Sequence, residues 1–107
     1  MNKEQFEAII KEVNEAKCDS VHAVEVECDL FYEANPKMVK KGMNVDKHRW
    51  YEISTCVYLI GEWYLGVCGV SDLFSESMGY DDCNVETNAF EMEQVQSVTY
   101  IQKKDKP

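Results

Sequence analysis

The amino-acid sequence predicts an α+β fold, in which an N-terminal helix packs on an antiparallel sheet of about five strands. Three observations support this prediction: an apolar stripe of helical period at the start of the chain, later segments of alternating polarity, and a hairpin turn between two of these segments. At 107 residues the chain has the size of one domain, so we expect residues 1–107 to share a single core.

Residues 3–17 are predicted to form the helix. Apolar residues recur there at the spacing of one helix face, namely Phe6, Ile9, Ile10, Val13 and Ala16. Asn2, with Gln5 three residues later, has the pattern of a capping box at the start of a helix. Because there is one apolar stripe, we expect one packing surface, with the sheet against it.

The sheet is expected to span residues 21–102. Residues 21–33 alternate between apolar and acidic side chains, which predicts a half-buried first strand. In this strand Leu30 and Tyr32 lie on the apolar side, and the acidic residues face solvent.

A basic loop is predicted at residues 34–48. Asn35-Pro36 and Gly42 interrupt regular structure, although Pro36 would also suit the first position of a short helix over residues 36–41. The lysines of this segment are Lys37, Lys40, Lys41 and Lys47. Two interpretations stay open: a loop that offsets the acidic sheet, or an arm that binds phosphate. The first is favoured because no aromatic residue lies between the lysines to stack on bases.

Residues 49–70 are predicted to form a β-hairpin. Gly61 stands first in a two-residue connection, where a type II′ turn requires glycine. The resulting register pairs Cys56 with Val67 and places Cys56 and Cys68 on opposite faces. These two thiols are therefore not expected to share a disulfide or a metal ion.

Two more strands are expected near residues 84–91 and 95–102, followed by a short solvated tail at 103–107. Short links between successive strands favour an antiparallel sheet. With the helix on one face, we expect the other face to be partly wet or covered by a second subunit.

The sequence indicates a protein that is not an enzyme and uses no cofactor. It contains no catalytic motif, metal signature or nucleotide-binding loop, and nothing local would activate a pair of His48 with Cys56. The five cysteines include no C-x-x-C pair, which indicates buried thiols in a reducing compartment. No apolar segment has the length of a signal core or a membrane span, so we expect a cytoplasmic protein without a membrane partner.

The net charge of −9 is concentrated in the C-terminal half of the chain. From Trp50 to Gln102 there is no Lys or Arg, whereas nine residues are acidic. Binding to a nucleic-acid backbone depends on Lys and Arg, so this half is not expected to bind nucleic acid directly. A protein with a basic surface would be the complementary partner.

A candidate partner-binding surface combines acidic and aromatic residues in the turns that flank the hairpin. Its members are Glu62, Tyr64, Asp72, Phe74, Glu76, Tyr80, Asp81 and Asp82. Aromatic anchors surrounded by charged residues are typical of protein interfaces.

Residues 49–101 resemble small uncharacterised proteins of bacterial phages and prophages. The resemblance rests on Arg49-Trp50-Tyr51-Glu52, Val57-Tyr58, Gly66-Val67, Gly69-Val70, Ser75-Glu76-Ser77-Met78 and Val98-Thr99-Tyr100. By analogy with inhibitors of host defence such as anti-CRISPR proteins, it implies an acidic inhibitor that blocks a basic nucleic-acid-binding surface of a host protein. The alternative is a self-associating structural or assembly module, in which the basic segment of one copy meets an acidic face of another in a homodimer.

Overall fold

The computed structural model describes residues 1–16, 21–26, 28–75, 77, 79, 83, 85–95 and 99–103. In chain order the elements are α1 (Lys3–Ala16), β1 (Val21–His22), β2 (Glu25–Val26), α2 (Asp29–Glu33), β3 (Lys37–Lys47), β4 (Tyr51–Ile60), β5 (Trp63–Leu73), β6 (Asn88–Val95) and β7 (Thr99–Gln102). Strands β3 to β7 form one antiparallel sheet in which each strand pairs with the next. Helix α1 packs against this sheet, which confirms the predicted α+β fold.

Helix α1 begins with the predicted capping box. The Asn2 N–H donates to Gln5 Oε1 at 2.8 Å, and the Gln5 N–H donates to Asn2 Oδ1 at 2.9 Å. Phe6, Ile9 and Val13 are buried, as the apolar stripe predicted. Lys17, the last residue of the predicted helix, lies outside the described residues.

The predicted strand over residues 21–33 is wrong. Two residues each form β1 and β2, and residues 29–33 form the short helix α2. Phe31 is 5% exposed and packs edge-on against Tyr58, whereas Leu30 and Tyr32 are 42% and 79% exposed. The alternating pattern misled the prediction because a five-residue helix is too short to display a helical period.

The basic loop predicted at residues 34–48 is also wrong, as is the short helix over 36–41. Residues 37–47 form β3, an edge strand of the sheet. Its pairing with β4 shifts register three times, between Met38 and Lys40, between Lys40 and Met43, and between Met43 and Asp46. These irregularities remove the two-residue alternation by which a strand is found in a sequence.

The predicted hairpin is confirmed. Cys56 pairs with Val67, Ile60 pairs with Trp63, and Gly61 has a φ of 62° in the turn. Strand β5 continues to Leu73, beyond the predicted end of the hairpin at residue 70. The strand predicted at 84–91 lies four residues too early, because β6 covers Asn88–Val95. The strand predicted at 95–102 ends correctly, but β7 begins at Thr99 and ends at Gln102.

The five-stranded sheet has an apolar cluster on each face. On the helix face, the sheet residues that pack with α1 and α2 are Cys56, Tyr58, Ile60, Leu65, Val67 and Ala89. The opposite face, called the open face below, carries Val39, Met43, Val57, Tyr64, Phe90, Met92 and Tyr100. Every residue of the second cluster belongs to the sheet, and yet Val57 is 0% exposed. Its neighbouring strands therefore curl around it.

Candidate functional site

The eight residues of the predicted partner-binding surface do not meet in one described patch. Glu62 lies in the β4–β5 turn and Asp72 lies near the far end of β5, both exposed. Ten residues of extended strand span about 33 Å, in a molecule whose longest dimension is 41 Å. Glu62 and Asp72 therefore lie at opposite ends of the hairpin.

The other predicted residues divide in the same way. Tyr64 belongs to the open face, where its ring centroid is 5.0 Å from that of Tyr100 and its hydroxyl donates to Gln94 Oε1 at 3.3 Å. Phe74 lies at the end of the hairpin that holds Asp72. The remaining four lie outside the described residues: Glu76, Tyr80, Asp81 and Asp82.

A partly exposed aromatic cluster lies where β3 turns into β4 and β5 ends. This cluster, called the aromatic end below, consists of His48, Trp50, Tyr51 and Phe74. The Phe74 N–H donates to the Trp50 carbonyl at 2.8 Å, and the His48 N–H donates to the Tyr51 carbonyl at 2.8 Å. These two bonds fix the backbone of the turn. Trp50 is nevertheless 46% exposed and Phe74 47% exposed.

Charged side chains surround the aromatic end. The Arg49 guanidinium lies 4.7 Å from the Trp50 ring centroid. His48 stacks on Tyr51, with centroids 4.7 Å apart, and its Nε2 is 3.2 Å from Asp46 Oδ2. These exposed rings and mixed charges are the composition of an interface hot spot.

Two carboxylates lie opposite each other beside the aromatic end. Glu52 of β4 pairs with Asp72 of β5, and on its other side it pairs with Lys47 of β3. Like charges directly across a strand pair are destabilising. Lys47 offsets part of this repulsion, and Ser71 Oγ donates to Glu52 Oε2 at 3.4 Å. Glu52 and Asp72 therefore place two neighbouring negative charges at this end of the sheet.

The open face depends on the missing side chain of Gly66. A Cβ at this position would lie 2.7 Å from both Met92 Cγ and Phe90 Cε2. Because glycine leaves this space free, the two side chains extend across β5 towards Val57. Phe90 lies directly opposite Gly66, a pairing in which the aromatic ring covers the glycine backbone.

The perturbed titratable groups lie in the core on the helix face. Burial raises the pKa of the Tyr58 hydroxyl, which donates to the Ala23 carbonyl at 2.7 Å. Burial also raises the pKa of the Cys56 thiol. Cys56 is buried in β4, whereas His48 is exposed in the turn and contacts Asp46 and Tyr51, so the alternative pair of His48 with Cys56 is not assembled.

The described residues contain no cluster of three or more His, Cys, Asp and Glu side chains suited to a metal ion. Cys28, Cys56 and Cys83 are buried and Cys68 is half-buried, in agreement with the prediction of buried thiols. Cys18 lies outside the described residues. Among the described helices, none combines the length and apolar character that crossing a bilayer requires.

A groove of about 450 Å³ lies between α1 and α2. Its lining includes Met1, Ile9 and Leu30. Within the described lining, Gln5 and Glu33 are the polar residues, and they do not form a cluster of converging catalytic groups. This groove is therefore not a candidate active site.

Several residues of the aromatic end and of the open face were not identified from the sequence. His48, Trp50 and Tyr51 were not assigned to the candidate surface, although an Arg-Trp pair next to a turn is a signal that could have identified them. Phe90 and Tyr100 were missed because their place on the open face depends on which strands pair. Comparisons with protein-family models, curated proteins and solved structures find no match for this chain.

Proposed function

We propose that this protein is a non-enzymatic binding module that docks onto a basic protein surface through its aromatic end. One observation carries the proposal. Trp50 and Phe74 are each almost half exposed, and a hydrogen bond joins their backbones. Aromatic side chains have few rotatable torsions to order on binding, so on a fixed backbone they are effective interface anchors.

Charge determines which partner the aromatic end favours. The chain has a formal net charge of −9, and Asp72 lies opposite Glu52 beside the exposed rings. At the aromatic end, a field of this sign accelerates association with a positively charged surface and disfavours acidic partners. A nucleic-acid-binding protein of a bacterial host presents such a surface. The proposed role is that of a phage-encoded inhibitor that occupies this surface in the host cytoplasm.

A pull-down from bacterial lysate tests the proposal. The tagged protein, washed at low and then at high salt, should retain a host protein that has a basic surface, and high salt should release it. The double variant Trp50→Ala/Phe74→Ala should lose this partner, whereas Tyr32→Ala should keep it, because Tyr32 is an exposed aromatic residue on α2.

Charge reversal separates the electrostatic part of the proposal from the aromatic part. Asp72→Lys should weaken capture strongly, and Glu62→Lys, at the opposite end of the hairpin, serves as the matched control. Equal losses from both variants would indicate a general effect of net charge. Capture that survives Trp50→Ala/Phe74→Ala would refute docking through the aromatic end.

Self-association is the second candidate function, and the exposed edge strand supports it. Strand β3 carries the exposed residues Lys37, Lys40, Lys41 and Lys47, whereas α1 and α2 carry exposed acidic residues. The lysines of one copy could therefore face the helices of another. Light scattering at low salt and high protein concentration tests this candidate, and a monomer under those conditions would exclude it.

A further inference from the structure

Acidic side chains of the sheet are placed on the helix face. Glu91 lies opposite Leu65, a residue of the helix-face cluster, and Glu93 follows two residues later on the same side of β6. Glu52 lies on the helix face as well, where its carboxylate accepts a hydrogen bond from Ser71. The acidic residues of α1 and α2 lie on this side of the sheet, because both helices pack there.

Basic side chains occur on the open face at the β3 edge. Lys37 lies opposite Leu59, and Lys40 lies opposite Val57, which is buried in the open-face cluster. Within the described part of the chain, neither lysine forms an ion pair. Asp46 also lies in register with this face, and its carboxylate is within 3.2 Å of His48 Nε2. The open face is thus locally basic in a strongly acidic protein.

Half-buried aromatic rings lie on the same face as these lysines and in the same register rows. One register row runs from Lys37 through Leu59 to Tyr64, which crosses two strand spacings, or about 10 Å. A second row runs from Lys40 through Val57 and Gly66 to Phe90. Each row therefore joins one cation at the edge to one aromatic ring on the same face.

We propose that the open face binds single-stranded nucleic acid, with bases stacked on Tyr64, Phe90 and Tyr100 and phosphates held by Lys37 and Lys40. Aromatic platforms beside a basic track are the usual means by which proteins bind single strands without sequence preference. Residues 50–102, which lack Lys and Arg, are not expected to bind nucleic acid by themselves. The fold combines the aromatic residues of this segment with lysines of the N-terminal half.

This site goes beyond the proposed function and uses different residues. The aromatic end docks a basic protein, whereas the open face attracts an anion. An acidic surface of a second copy could also approach Lys37 and Lys40, but it would make no use of the half-buried rings of Tyr64 and Tyr100. The aromatic rows therefore favour nucleic acid over self-association as the occupant of this face.

Fluorescence anisotropy with a fluorescein-labelled oligothymidine and the full chain tests the proposal. Wild-type protein should bind at low salt, and the logarithm of the binding constant should fall with the logarithm of salt concentration with a slope of about −1.4, because two lysines each contribute about −0.7. The variant Lys37→Gln/Lys40→Gln should lose most of this slope. Lys11→Gln, on the exposed side of α1, should leave it unchanged.

The stacking component is tested with Tyr64→Leu/Tyr100→Leu, which retains apolar volume and removes two rings. This variant should bind about tenfold more weakly, with an unchanged circular dichroism spectrum as evidence of folding. A duplex of the same length should bind more weakly than the single strand, because its bases are not free to stack. Trp50→Ala/Phe74→Ala should bind oligothymidine like the wild type.

Three results would overturn the proposal: no anisotropy change at low salt, equal affinity for duplex and single strand, or lysine variants that bind like the wild type. Loss of binding in Trp50→Ala/Phe74→Ala would move the site to the aromatic end and overturn it as well. If Lys37→Gln/Lys40→Gln instead converts a dimer into a monomer in light scattering, without any nucleic-acid binding, a second copy occupies the face.

Discussion

On the helix face of the sheet, Cys56 and Ile60 are buried beneath two helices, whereas on the open face Val57 is equally buried with no described helix above it. The first face is closed by a separate layer, and the second by the curvature of its own strands and by Phe90 and Met92, which cross Gly66. Burial of one central residue is thus achieved in two physically different ways.

The two faces differ in how much of their apolar surface is removed from contact with solvent and with other molecules. A covering helix removes a whole face from water and from any large partner. A curled sheet buries the residues at the centre of its concave face but leaves the aromatic rings around them partly accessible. The helix face is thus covered by a separate layer, whereas the rings of the open face and of the aromatic end are partly exposed to solvent.

The largest effect is expected from loss of a helix-face anchor. Phe6 is fully buried, and its ring stacks on Trp63 with centroids 5.6 Å apart. Phe6→Ala should lower the free energy of unfolding by about 3–5 kcal/mol, as measured by urea denaturation. Tyr32→Ala, at an exposed position on α2, should change it by less than about 0.5 kcal/mol. Similar losses from both variants would mean that α1 does not close the core.

The second largest effect on the free energy of unfolding is expected on the open face. It comes from a substitution that adds atoms instead of removing them. Gly66→Ala places a methyl group against Phe90 and Met92, so the free energy of unfolding should fall by up to about 3 kcal/mol. In a double-mutant cycle, Met92→Ala should relieve part of this cost, so that the two changes are less than additive. Full additivity would show that Met92 does not lie across Gly66.

The elements predicted correctly from the sequence are those whose signals are local. Helix α1 has a cap and a stripe within a few residues of each other, and the β4–β5 hairpin has Gly61 in its turn, with a φ of 62°. Strand β3 carries Gly42 and Asn44 at positive φ, and three register shifts interrupt its alternation. Its identity as a strand is determined by pairing with β4 rather than by its own pattern.

The candidate surfaces were harder to predict because they join residues that are distant in the sequence. Their closeness to the hairpin in the sequence suggested that Glu62 and Asp72 form one surface. However, they lie near the two opposite ends of β5 and are therefore far apart. Conversely, Lys37 and Tyr64 share a register row that no spacing along the chain reveals. Predicting such rows requires the strand order and every register shift between the two residues.

A smaller effect, and one that depends on pH, is expected at Tyr58 on the helix face. Burial first, and then the charge of the neighbouring Cys56, raise the pKa of Tyr58 above its ordinary value of about 10. Above that pH the unfolded chain loses a proton that the folded chain retains. The contribution of Tyr58 to stability should therefore be complete below about pH 10 and fall as the pH rises further.

The variant Tyr58→Phe should make this alkaline decline shallower. At neutral pH it should cost about 1 kcal/mol, because it removes the hydrogen bond to the Ala23 carbonyl. Urea denaturation at about pH 7 and about pH 11 measures both effects. The Cys56 thiol, whose pKa is also raised, should leave a residual decline. Tyr32→Phe, at an exposed position, is the control, and a slope unchanged by Tyr58→Phe would contradict the prediction.

The smallest effects on the free energy of unfolding are expected from lysine substitutions. Because Lys3 lies on the helix side and Lys37 on the open face, their effects compare the two faces directly. Lys3 Nζ lies 2.6 Å from Glu91 Oε1 and near the rings of Phe6 and Trp63, so Lys3→Gln should lower the free energy of unfolding by about 0.5–1 kcal/mol. Lys37→Gln, which breaks no ion pair within the described residues, should change it by less than about 0.5 kcal/mol.

Salt and a double-mutant cycle sharpen this last comparison. High salt should reduce the cost of Lys3→Gln, and Glu91→Gln should remove part of it, because the two charges interact directly. Neither high salt nor Glu91→Gln should change the small effect of Lys37→Gln on the free energy of unfolding. If Lys37→Gln destabilised the protein as much as Lys3→Gln, Lys37 would be required for the fold itself. A lysine that stability does not require, on the same face as half-buried aromatic rings, is instead available to bind a phosphate.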